Sequence, residues 1–177
     1  PIPALQGYDA HEKVIYLGTF SRSVAPAIRL SYMVLPRPLL DVYEKRHGFV
    51  HSTVSKVDQL IMQRFLEEGY YERHLNKTRA LYKSRHDALL EGLKSMSDIL
   101  TISGENAGVH LLLTFRNGMT EKELIERAGK EDIRVYGLSE YRIRKDREEK
   151  PTILLGYANL TEEQIREALG ILNQCFR

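Results

Sequence analysis

Between Tyr71 and Met96 the chain runs for a full helix length without a proline, and its one glycine, Gly92, falls near the end. Leu75, Tyr82, Leu89, Leu93 and Met96 trace one helical face, while Arg73, Lys77, Lys83, Asp87 and Glu91 cover the others. A helix this long can bridge two domains.

Ahead of it, Val14-Ile15-Tyr16-Leu17 and the run Leu30-Ser31-Tyr32-Met33-Val34-Leu35 are rich in β-branched and aromatic residues and read as buried strands. Positions 39–46 form a short helix closed by Gly48. From Ser55, Val57, Leu60, Ile61 and Phe65 recur at helical spacing, with a hydroxyl start and a Gly69 stop.

Behind it the pattern shortens. Strands are expected at 99–102 and 109–115, joined through a turn that holds Gly104 and Gly108, and again at 133–136 and 152–157. A charged loop, 142–150, separates the last two. Thr120 to Glu123 is a capping box opening a helix that Gly129 can end. Thr161 to Gln164 is a second one, and Ile165, Ala168, Leu169 and Leu172 give its helix a buried face. The reading is α/β: a strand pair, a helical middle and an α+β unit of about four strands and two helices. The boundary expected is 1–70 against 71–177, with the long helix in the second part.

Composition narrows the function. With 26 basic and 24 acidic residues the net charge is +2, and the signs interleave, so no nucleic-acid-binding stripe is present. Cys175 stands alone, which leaves no disulfide framework or cysteine metal site and fits a reducing, cytoplasmic location. No apolar run approaches the roughly 20 residues needed to span a bilayer. The six histidines lack metal-ligand spacing, and His110, between Val109 and Leu111, reads as a structural strand residue. The opening Pro1-Ile2-Pro3, with a strand close behind, reads as the interior of a larger chain.

The chemistry concentrates between the first two strands. Thr19, Ser21, Arg22, Ser23 and Arg29 gather hydroxyls and two cations at a strand end where main-chain N–H groups are also free. Such a loop can hold an anion such as phosphate.

The run from Gly18 to Pro36, GTFSRSVAPAIRLSYMVLP, resembles the cofactor-lysine motif of fold type I pyridoxal 5′-phosphate (PLP) enzymes, most closely in its MocR-type, GabR-like form. The resemblance continues through Asp58-Gln59-Leu60, 65–75, 106–110, 136–139 and 155–160, nearly the whole chain. It implies the C-terminal portion of a PLP-dependent fold type I aminotransferase-like domain: a remnant of the large domain, then the small one. In GntR-family regulators of this type, a winged-helix DNA-binding domain, absent from this chain, precedes the aminotransferase-like part. The resemblance also implies a homodimer, with 52–55 near the partner's site, and a small amino-acid or amine effector. The acidic partner of the pyridine nitrogen, the stacking aromatic and the glycine-rich phosphate turn would lie upstream.

By position, Thr19 and Ser21 would hydrogen-bond the PLP phosphate and Arg29 would fork onto it. Position 22 is where the family carries the Lys that forms the Schiff base, and here it is Arg. A guanidinium stays protonated at any working pH and is a poor nucleophile toward an aldehyde. The covalent link is therefore not expected; Arg22 reads either as a surface-pointing remnant or as an extra phosphate ligand. Glu140 stands where the GabR-like pattern can carry an Arg that grips an effector carboxylate. Either the effector has a cation at that end, or Glu140 faces a protein Arg, or it is a solvated loop carboxylate. Two functions remain: an effector-binding domain of a transcriptional regulator, or part of a class I/II aminotransferase, against which Arg22 argues directly.

Overall fold

In the computed structural model, which describes residues 3–106, 108–143 and 150–177, the strands flanking the Ser-Arg-Ser loop pair antiparallel. Most of the expected 142–150 loop lies outside the described residues. The chain divides into two compact units, Pro1–Lys77 and Thr78–Arg177, so the division falls inside the long helix.

In the first unit β1 (Tyr16–Thr19) pairs with β2 (Ser31–Val34) in a register that sets Gly18 opposite Tyr32 and Thr19 opposite Ser31. Asp9 steers the chain into β1, its carboxylate accepting the N–H groups of His11, Lys13 and Val14 at 2.9, 2.7 and 2.7 Å. Helix α1 (Arg37–His47) ends at Gly48, and α2 (Lys56–Glu67) starts at Ser55, whose Oγ accepts the Asp58 N–H. The long helix α3 (Tyr70–Leu93) begins here, after Gly69 at φ 71.

The strands were expected to be buried, and they are not. Every residue of β2 is exposed, Leu17 of β1 is 71% exposed, and only Leu30 and Met62 of this unit are buried among the described residues. The run 30–35 has the composition of a strand covered on both faces. A two-stranded ribbon supplies no layer to cover it.

The second unit holds its own core. Strands β3 (Leu100–Ser103), β4 (His110–Phe115), β5 (Tyr136–Gly137) and β6 (Thr152–Gly156) form an antiparallel sheet in the order β3-β4-β6-β5. Alternation along β4 sends Leu111, Leu113 and Phe115 inward. They meet Leu89 and Leu93 of α3, Leu124 of α4 (Glu121–Lys130), and Ile165 and Leu172 of α5 (Glu162–Cys175). Phe115 packs edge-on against Phe176, centroids 5.0 Å apart. Gly92 lets α3 approach α5, for a Cβ there would collide with Leu169 Cδ1.

Both capping boxes form, at Thr120 with Glu123 and at Thr161 with Gln164. The strand expected at 133–136 shrinks to the Tyr136–Gly137 pair. Ile133 instead donates its N–H to Ala128 O at 3.0 Å, and Asp132 takes a left-handed φ of 58°. The end of α4 thereby holds the segment out of the ladder, one residue beyond the Gly129 stop.

Candidate functional site

The Thr19 hydroxyl builds the loop. Its Oγ1 donates to Leu30 O at 3.2 Å and accepts the Ser21 N–H at 3.2 Å. The Phe20 N–H joins the same Leu30 carbonyl at 2.9 Å, and the Phe20 carbonyl accepts from Ser23 and Val24 at 3.2 and 2.8 Å. A short 3-10 turn, Pro26–Ile28, follows, and Arg29 returns to the strand in the left-handed region at φ 46, ψ 31. That region is uncommon for a residue with a Cβ. Because Thr19 is tied to Leu30, Arg29 is brought beside the Thr19 end of the loop.

An aromatic bracket supports this turn. Tyr71 donates its hydroxyl to Ser23 Oγ at 3.2 Å and sets its ring edge against Phe20, centroids 5.8 Å apart. Phe20 in turn lies 5.2 Å from Tyr32, and Tyr32 6.0 Å from Tyr16. The Tyr32 ring folds over Gly18, where any Cβ would run into it. Its hydroxyl is held above the usual tyrosine range by a hydrogen bond with Tyr16, then by burial and by its tyrosine neighbours. Sequence reasoning passed over Tyr71, Phe20 and Tyr32. The Gly18 to Tyr32 pairing was the available signal, since an aromatic across from a strand glycine covers it.

Thr19, Ser21 and Arg29 are thus gathered by one loop, and no described residue pairs with the guanidinium of Arg22 or Arg29. Both arginines are exposed. The Thr19 proton is committed to Leu30, which leaves the Ser21 hydroxyl and the guanidinium groups of Arg22 and Arg29 as the ready donors for an anion.

Glu140 belongs to the second unit, exposed on a 3-10 turn, Leu138–Tyr141. Glu121, at the start of α4, shapes that turn: its carboxylate accepts the Ser139 N–H at 3.3 and 3.4 Å and the Ser139 hydroxyl, and it fills the space a side chain at Gly137 would need. Among the described residues no cation pairs with Glu140. The expectation named Glu140 and missed Glu121, whose part depends on tertiary contact.

Comparison with known proteins defines the class. The family profile described as aminotransferase class I and II matches residues 2–172, and the chain belongs to that family. It is 37% identical over 179 residues to the uncharacterized HTH-type transcriptional regulator YdeL of Bacillus subtilis (strain 168), covering 100% of this chain and 38% of the relative. With the probable rhizopine catabolism regulatory protein MocR of Rhizobium meliloti it shares 28% over 177 residues, 99% of this chain and 36% of that one. A solved multiple substrate aminotransferase from Thermococcus profundus superposes with a TM-score of 0.85 at 28% identity, covering 99% of this chain and 43% of that one. The fold is that of PLP fold type I aminotransferases, and the matched stretch is the aminotransferase-like region of MocR-type regulators. The chain spans about two-fifths of the length of the relatives it matches.

Aminotransferases of this family work with PLP in general. The loop of the first unit fits that group at one end: the Ser21 hydroxyl and the unpaired Arg29 suit a phosphate. At the other end Arg22 offers no neutral primary amine.

Proposed function

We propose that this chain is the C-terminal part of the effector-binding, aminotransferase-like domain of a GntR-family, MocR-type transcriptional regulator. In this reading the protein is a cytoplasmic homodimer, and it meets DNA through a domain outside this chain. The observation that carries the reading is the whole-chain identity of 37% to an HTH-type regulator. Arg22 adds to it, because a regulator can respond to bound ligand without turnover.

PLP, when bound, supplies an electron sink for chemistry on amines. Ser21 and Arg29 hold its phosphate, Arg29 through two parallel charge-assisted bonds. Thr19 keeps the loop closed on Leu30 and reaches the phosphate only by turning its proton away from that carbonyl. Arg22 occupies the position of the Schiff-base lysine and keeps its own proton, so attachment is noncovalent. Glu140 faces the cationic end of an amine or amino-acid effector, since a carboxylate there would be repelled.

The alternative, part of a class I/II aminotransferase, is favoured by the 28% likeness to a solved enzyme and opposed by Arg22. Two measurements on the full-length protein separate them. PLP should shift its absorbance spectrum yet leave no mass adduct on this loop after borohydride reduction, and effector should change its affinity for operator DNA. A reduced adduct on the loop would overturn noncovalent attachment, and transamination at an enzyme's rate with no effect of effector on operator binding would overturn the regulatory reading.

A further inference from the structure

The corner between α2 and α3 carries its own supports. Gly69 turns the chain at φ 71, and the Arg73 guanidinium ties the turn by donating to Gly69 O and Glu68 O at 3.4 and 3.3 Å. Phe65 of α2 meets three rings at the start of α3, its centroid lying 6.2 Å from Tyr70, 6.3 Å from Tyr71 and 6.2 Å from His74. Tyr71 thus takes its place from the helix corner.

The anion loop leans on that corner at two points. Tyr71 donates its hydroxyl to Ser23 Oγ at 3.2 Å and sets its ring edge against Phe20 at 5.8 Å. Ser21 and Arg22 are the two residues between those anchors. A donor on an arc already held in place gives up less conformational freedom when it closes on an anion, so affinity depends on what holds the arc as well as on the donor. All of these contacts lie within the first unit.

We propose that Tyr71 is a positioning residue for the phosphate of PLP: it touches no ligand itself and acts through Ser23 and Phe20 to hold Ser21 and Arg22 in the form that meets the anion. The proposal rests on the phosphate reading of the loop given above. Tyr70 supplies an internal control. Its ring stacks on the same Phe65, yet its hydroxyl has no partner among the described residues.

The test is a spectroscopic titration of the full-length protein with PLP. Tyr71→Phe keeps the ring and removes the hydroxyl, and it should raise the midpoint about threefold or more, the scale of one neutral hydrogen bond. Ser23→Ala removes the acceptor and should raise it by a similar factor. Tyr71→Phe added to Ser23→Ala should then raise it no further, because the two residues act through one bond. Tyr70→Phe should leave the midpoint unchanged. If PLP does not bind, or binds with a midpoint indifferent to Arg29→Ala, the phosphate reading falls and takes this proposal with it. If Arg29→Ala weakens binding while Tyr71→Phe does not, the phosphate reading stands and the positioning role is overturned. The role is overturned as well by equal effects of Tyr71→Phe with and without Ser23, or by an equal effect of Tyr70→Phe, either of which would mark a merely structural tyrosine.

Discussion

A guanidinium at position 22 carries its proton through the whole physiological range, and the loop around it offers donors to an anion but no amine to an aldehyde. Arg22→Lys restores the amine and should produce a borohydride-stable adduct with PLP that the unaltered protein lacks, read by mass spectrometry of the loop peptide. If the lysine variant also stays unmodified, the loop does not present position 22 to the cofactor. The donors can be ranked in the same way. Arg29→Ala should weaken PLP binding by roughly tenfold or more, since bonds from charged groups contribute about 1.5–3 kcal/mol. Ser21→Ala should cost less, being a neutral donor. Equal losses in a spectroscopic titration would contradict the ranking. That Thr19 secures the loop was not legible in the sequence, which marks a hydroxyl but not its partner. Leu30 O is 11 residues away, and only the register of β1 and β2 brings it within 3.2 Å.

The helix starts were readable because a capping box is local chemistry, written within four consecutive residues. Thr120→Ala should destabilise the second unit by about 0.5–2 kcal/mol, measured by urea unfolding, because it removes the acceptor of the Glu123 N–H. Strand 133–136 was misjudged for the opposite reason. Its alternation suits a strand, yet the bond from Ile133 to Ala128 O belongs to the helix before it. The exit of α5 is tied to the start of β3 by Arg177, whose guanidinium donates to both Asp98 oxygens at 3.0 and 3.1 Å. This fork draws the Asp98 carboxyl below its ordinary range, against the opposing effect of desolvation. A folded value below the unfolded one stabilises at neutral pH, and the contribution disappears as pH falls through the folded value. Thermal melts of the protein and of Arg177→Ala should therefore differ at pH 7 and draw together in acid. High salt should narrow the neutral difference as well, because both partners are exposed.

At the scale of the molecule, the units differ in what they enclose. The second buries Leu93, Leu111, Leu113, Phe115, Leu124, Ile153 and Phe176 almost completely, whereas the first leaves Leu17, Phe49, Val57 and Leu60 between 60% and 78% exposed. Apolar surface on that scale calls for a cover, and a bare strand edge at β1 and β2 adds unpaired backbone groups to it. Amide hydrogen exchange on the 177-residue chain should show β4 and β6 opening only when the second unit unfolds. The β1 and β2 amides should exchange by local fluctuation, and scattering should rise with concentration as exposed faces associate. Leu113→Ala, with its side chain 1% exposed, should lower protection in β4 and β6 by about 2–5 kcal/mol and leave β1 and β2 unmoved. In the longer regulator proposed above, further chain would cover the ribbon, and β1 and β2 should become as slow as the second sheet. Equal protection of all six strands in the 177-residue chain would mean that the first unit is stable uncovered, and the proposed need for a cover would be lost.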